Sequence, residues 1–301
     1  MNQMEEIKKL KEEKDAVILA HYYVDGEVQE IADYVGDSYA LSKLATTLSA
    51  QNVIFCGVKF MGESAKILNP QKTVVMVDAS ADCPMAHMVT IETIEKVRSE
   101  NPDVCVVCYV NSTAEIKSHS DVCVTSSNAI RIVKALPNKK IFFIPDNNLG
   151  RYVAAQVPEK EFIFHDGYCP IHKEIKKDIV LAAKEAHPEA MVLTHPECTE
   201  DVLAISDFIG STSEIIDYAT ASDKDSFIIC TEMGIFYELE QKNPNKKFYP
   251  AGQDQICSNM KKITLDKVIA SLQTLTPEVQ LTGDISEKAN NPLSRMLELA
   301  K

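Results

Sequence analysis

The feature that most constrains this chain is an interval of 17 residues that occurs three times. Apolar, β-branched segments at 16–21, 105–109 and 191–195 each end on a polar or aromatic residue, namely His21, Tyr109 and His195. From those residues to Ser38, Ser126 and Thr212 the distance is 17 residues in every case. Before each hydroxyl an aspartate (Asp33, Asp121, Asp207) opens a short second strand. A helical pattern follows, then a third apolar strand at 53–60, 140–145 and 227–230, with Gly62, Gly150 and Gly234 marking the turn into another helix. Fourth strands at 73–77, 161–164 and 247–249 complete the units, and each is followed by one cysteine: Cys83, Cys169 and Cys257, spaced 86 and 88 residues apart.

Strands and helices that alternate at these lengths predict parallel sheets with crossover helices. The expected fold is therefore α/β, with three pseudo-threefold-related αβα domains around a central cavity. The expected boundaries are 1–83 plus 258–301 for the first unit, 84–169 for the second and 170–257 for the third. The segment from 261 onward is expected to pack on the first unit beside the amino-terminal helix. Ligands of parallel sheets collect beyond the carboxyl ends of the strands. Three such ends facing inward would bring together His21 and Tyr23, Tyr109 and Asn111, and His195 and Glu197, the second of each pair two places after the first. Ser38, Ser126 and Thr212 stand before helical patterns, so each is a candidate helix cap and a candidate anion contact.

A formal charge of −13 opposes binding to nucleic acid or to an anionic membrane surface and favours a small-molecule partner. Residues 1–15 are charged and read as a helix rather than a secretory signal, and no apolar run spans a bilayer, so a cytoplasmic protein is expected. Nine cysteines, an odd number in a reducing compartment, suit buried thiols plus a metal site better than a disulfide framework. Cys56, Cys105, Cys108, Cys123 and Cys230 fall inside strand patterns and read as core; Cys198 follows Glu197 in a loop. One cysteine per unit, at Cys83, Cys169 and Cys257, suits an iron-sulfur cubane with one iron left open. The same cysteines with His172 would also suit zinc. Glu197, beside a histidine and a metal, is a candidate general base. An iron-sulfur sensor that binds a dicarboxylate without turnover would use the same residues.

The set Ala-His-Tyr-Tyr at 20–23, Gly-Asp-Ser at 36–38, Tyr-Val-Asn at 109–111, Gly-Tyr-Cys-Pro-Ile-His at 167–172, His-Pro-Glu-Cys at 195–198 and Gly-Ser-Thr at 210–212 closely resembles quinolinate synthases, over essentially the whole chain. The resemblance implies a triangular assembly of three α/β domains and a 4Fe-4S cluster on Cys83, Cys169 and Cys257. It also implies condensation of iminoaspartate (iminosuccinate) with dihydroxyacetone phosphate to quinolinate, the pyridine precursor of NAD, with loss of phosphate and water. An aspartate-oxidising enzyme would supply the imine. Substrate contacts implied are His21, Ser38, Tyr109, Asn111, Ser126, His195, Glu197 and Thr212, with Tyr23 and His172 as further site residues. For catalysis, Glu197 is the expected base, with His195 and Tyr23 as proton shuttles and Tyr109 among the catalytic residues. Some members carry extra cysteines beside the third ligand; here Ser258, Asn259 and Met260 follow Cys257, so no local thiol switch is expected.

Overall fold

The computed structural model describes residues 3–301. The fold is α/β, with three four-stranded sheets in which every pairing is parallel. The first holds β1 (Ala16–His21), β2 (Tyr34–Gly36), β3 (Asn52–Cys56) and β4 (Thr73–Met76), in the order β2-β1-β3-β4. The second repeats that order with β5 (Cys105–Tyr109), β6 (Val122–Val124), β7 (Lys140–Ile144) and β8 (Glu161–Phe164). The third does so with β9 (Met191–Thr194), β10 (Phe208–Ile209), β11 (Ser226–Cys230) and β12 (Lys247–Pro250). In this order the chain leaves the first strand to one side and the third lies on the other, so a crevice opens above their carboxyl ends.

The repeated aspartate has a physical job. The backbone N–H groups of Asp33, Asp121 and Asp207 donate to the carbonyls of Ile18, Val106 and Val192. Their side chains in turn accept the N–H of those same residues at 2.8, 2.7 and 2.8 Å, each across 15 residues. One residue thus holds both backbone groups of a first-strand residue along a single edge and sets the register of the short second strand. The fixed interval from strand end to hydroxyl follows from that pin.

Gly62 and Gly150 are not turns. They lie inside the helices Lys59–Leu68 and Asn147–Gln156, where the helix rests directly on the sheet. A Cβ on Gly150 would stand 3.0 Å from the Phe143 ring. Gly234 does mark a helix start, that of Ile235–Lys242, and there a Cβ would stand 2.6 Å from the Tyr22 carbonyl. This is where the third sheet's loops press on the first's.

The carboxyl-terminal segment corrects the sequence reading in part. Helix Leu265–Thr274 packs on helix Gln3–Glu13 and on β3, as expected. Met1 and Asn2, the start of the helix expected over 1–15, lie outside the described residues. Helix Gly283–Leu299 instead lies mainly against helices Ala114–Ser118 and Ala129–Ala135 and strand β6 of the second sheet, and also touches helix Lys59–Leu68. Its buried face, Ala289, Leu293 and Met296, recurs at helical spacing and joins one apolar core that runs through the first two sheets. Separate clusters cover the two faces of the third sheet, one around Phe227, Ile215 and Leu239 and one around Val180, Val192 and Ile228. Among the described residues no helix is long and apolar enough to cross a membrane.

Candidate active site

The strand ends of all three sheets line one cavity of about 180 Å³. His21, Tyr23, Ser38, Tyr109, Asn111, Ser126, His172, His195, Glu197 and Thr212 all face it, as do Cys83, Cys169 and Cys257. Every site residue expected from the sequence is therefore on its wall. Among the described lining residues there is no lysine or arginine.

The hydroxyls are set by a one-residue correction. Ser38 and Thr212 are the first residues of their helices, and the caps are Asp37, which accepts from Ala40 N, and Ser211, which forms a capping box with Glu214. Because the preceding residue satisfies the helix end, Ser38 and Thr212 are released from capping. In the second unit the helix begins later, at Ala129, and Thr125 N is held by Asn128.

Two histidines are fixed by the same local device. The N–H of Tyr23 donates to His21 Nδ1 at 3.1 Å, and the N–H of Glu197 donates to His195 Nδ1 at 3.3 Å. With Nδ1 as acceptor, each neutral ring carries its proton on Nε2 and becomes a donor there. His195 Nε2 lies 3.3 Å from Ser126 Oγ. Burial pulls the pKa of both rings down to about 3, although Glu197 works the other way. They are neutral at physiological pH. Neutral N–H donors, hydroxyls and the Asn111 amide are what this wall offers an anionic ligand in place of cations.

Glu197 is buried, and burial alone would raise its pKa. The opposing effects win: His172 Nδ1 lies 2.6 Å from its Oε2, His195 is close, and the Tyr109 phenol bonds it, so the carboxyl sits at about 2. Asn111 Nδ2 approaches Oε1 at 3.5 Å, and Asn148 Nδ2 donates to the Glu197 carbonyl at 3.0 Å. Burial and the Glu197 charge push the Tyr23 and Tyr109 phenols far up, so both stay protonated.

From Glu197 a chain of polar contacts runs behind the cavity wall. His172 Nε2 meets Thr231 Oγ1 at 2.8 Å, Thr231 Oγ1 meets Tyr23 Oη at 2.8 Å, and Tyr23 Oη meets Thr212 Oγ1 at 2.9 Å. Thr231 is wholly buried and follows β11 directly. It was invisible to the repeat, because the equivalent positions after β3 and β7 are Gly57 and Pro145. Glu232, also on the cavity wall, was missed as well. Its equivalent, Asp146, is acidic, and that match was a usable signal.

The three cysteines share a local structure. Each precedes a short helical turn, at Pro84–His87, Pro170–Glu174 and Met260–Lys262. Backbone N–H groups of Ala86, His172 and Met260, three residues on, lie near the respective sulfurs and favour thiolate. Burial outweighs them and raises all three thiols, Cys83 to about 12. Cys83, Cys169 and Cys257 are partly accessible, whereas the other six cysteines are buried. Cys198, which the sequence places in a loop near the site, is packed in the third sheet's core with its thiol toward the Cys230 carbonyl. Cys169, His172 and Glu197 offer donor atoms within 4.8 Å of one another. Outside the cavity, His87 pairs with Asp82 and Lys66 with Glu278.

The chain is similar to known proteins over nearly its whole length. Residues 5–298 match the model of the family described as NadA, quinolinate synthetase A protein. A quinolinate synthase of Fusobacterium nucleatum is 53% identical over 294 residues, covering 98% of each chain. One of Caldicellulosiruptor saccharolyticus is 50% identical over 295 residues, covering 98% of this chain and 97% of the relative. A third, of Clostridioides difficile, is 50% identical over 296 residues, covering 98% and 97%.

Proposed function

The chain belongs to the quinolinate synthetase A family, and we propose that it condenses iminoaspartate with dihydroxyacetone phosphate to quinolinate, releasing phosphate and water. The observation that carries this reading is the meeting of three cysteines with the strand-end residues of all three sheets in one cavity. An aspartate-oxidising enzyme would supply the unstable imine.

The donor set fits a cubane with three protein ligands. Three sulfurs from three units face one space, backbone N–H groups lie near each, and no fourth cysteine lines the cavity among the described residues. Cys83, Cys169 and Cys257 would hold a 4Fe-4S cluster, which when bound supplies an iron without a protein ligand as a Lewis acid.

The chain's own residues do the rest. His21 and His195 present Nε2–H, and Ser38, Ser126, Thr212 and Asn111 add donors, so carboxylate and phosphate oxygens are held without a lysine or arginine. Glu197 takes the proton next to a carbonyl. An anionic substrate beside it offsets part of the histidine stabilisation and raises its proton affinity toward that of a base at neutral pH. Tyr109 and Tyr23, held protonated, donate where oxygen leaves. The contacts His172–Thr231–Tyr23 then carry protons between Glu197 and Tyr23.

A single ion on Cys169, His172 and Glu197 is the second reading that a specific observation favours. Against it, His172 Nε2 is already taken by Thr231, and its Nδ1 stands only 2.6 Å from Glu197 Oε2. Metal analysis separates one zinc from several irons.

The test is a coupled assay in which the imine is generated in place and quinolinate and phosphate are measured together. Wild type should release both in equal amounts, and Glu197→Gln should lose about 10²–10⁴-fold in kcat with unchanged iron. Cluster-loaded wild type that forms neither product would overturn the proposal.

A further inference from the structure

Each cysteine on the cavity wall has its backbone N–H held by a carboxylate. Cys169 N donates to Asp146 Oδ2 at 3.2 Å, Cys257 N to Glu232 Oε1 at 2.9 Å, and Cys83 N to Asp82 Oδ1 at 2.8 Å. Asp146 and Glu232 are counterparts in the repeat, since each lies two residues past the end of its unit's third strand. Their side chains are wholly buried, and each grips two amides: Asp146 Oδ1 also accepts from Leu149 N at 2.8 Å, and Glu232 Oε2 from Gly234 N at 2.6 Å. One oxygen holds the start of the following helix and the other reaches 23 or 25 residues on to a cysteine.

Resting on the cluster reading above, we propose that Asp146 and Glu232 are positioning residues for the iron-sulfur cluster, each bracketing the strand end to the cysteine of its own unit. The backbone N–H fixes the orientation of the cysteine Cα–Cβ bond, and a three-ligand cluster tolerates little error in where its sulfurs stand. Helix capping alone does not account for the pair. In the first unit the same slot is Val58, helix Lys59–Leu68 forms there with no side-chain cap, and a different carboxylate, Asp82, has been recruited to the cysteine. Asp82 is a neighbour of Cys83 in sequence and is one-third exposed, so water can take its place. Lys261 extends the bracket at Glu232: its ammonium stands 3.3 Å from Glu232 Oε1 and donates to the Tyr23 carbonyl.

The experiment measures how fast a ferrous chelator strips iron from anaerobically loaded protein, together with the electron paramagnetic resonance spectrum of the reduced cluster. Asp146→Ala and Glu232→Ala should release iron about 10–100-fold faster than wild type, with an altered spectrum. Asp82→Ala should lie near wild type, as should Thr90→Ala, which removes a helix cap that holds no cysteine N–H. Asp146→Asn and Glu232→Gln keep the size and one acceptor oxygen, and they decide the matter where an alanine variant does not fold; intermediate release rates support the bracket. Wild-type rates and spectra in the buried-site variants would overturn it. A wild-type chain that takes up no cluster is a distinct result, which removes the functional reading itself.

Discussion

Replacing Thr231 by valine keeps the shape of a buried side chain and removes one oxygen that serves two partners. His172 Nε2 and Tyr23 Oη each stand 2.8 Å from that oxygen. Tyr23 retains Thr212 Oγ1 at 2.9 Å, whereas His172 Nε2 is left with no partner among the described residues. A buried polar group left without its partner costs about 1–3 kcal/mol, so Thr231→Val should destabilise the protein by about 2 kcal/mol, nearly all of it from His172. The kinetic effect is larger. If protons pass between Glu197 and Tyr23 through these contacts, the break removes an acid–base route worth about 10²–10⁴-fold in kcat. Thr212→Val shortens the end of the chain and leaves the His172–Thr231–Tyr23 part intact, so its loss from this source should be much smaller. The assay is steady-state quinolinate formation in H₂O and D₂O on protein of matched iron content, with a thermal melt beside it. A Thr231→Val enzyme that is destabilised yet turns over at the wild-type rate, with the same solvent isotope effect, would refute the relay and leave Thr231 a packing residue.

Acid sensitivity follows from the two histidines. His21 and His195 have pKa values near 3 when folded against 6.5 for the free side chain, so the unfolded chain binds more protons between those limits and stability falls as pH drops below 6.5. Each should remove about 1.4 kcal/mol per pH unit in that window, and denaturation midpoints at pH 7.5 and 5.5 should converge for wild type and His195→Gln as the pH falls. Parallel losses in the two proteins would contradict this. Asp121→Ala strips the pin from Val106 N and the 2.9 Å ion pair with Arg98; a loss of about 1–3 kcal/mol in urea unfolding is expected, and an unchanged midpoint would mean that the pin is redundant.

Much of this architecture could be read before any coordinates because the repeat carries physical constraints and not only apolar faces. Asp33, Asp121 and Asp207 fix a strand register, and so they fix the distance from His21, Tyr109 and His195 to the hydroxyls. The three cysteines stood out because they occur once per unit at the start of a turn. What could not be read lay where the units differ. Thr231 shares its slot with glycine and proline, so nothing in the pattern marks it. Ser38 and Thr212 looked like caps because helix starts are legible only to within a residue, and Asp37 and Ser211 take the cap instead. Helix Gly283–Leu299 has an apolar face suited to any sheet's flank, and its choice of the second sheet depends on packing against Ala114–Ser118 that no local signal announces.

The most direct test of the account is the metal content of protein purified without oxygen. Wild type and Cys105→Ala, the latter altering a buried strand cysteine, should each hold about four irons with matching sulfide, while Cys83→Ala, Cys169→Ala and Cys257→Ala should each lose the cluster. One zinc per chain, or iron retained when any of those three cysteines is removed, would contradict it.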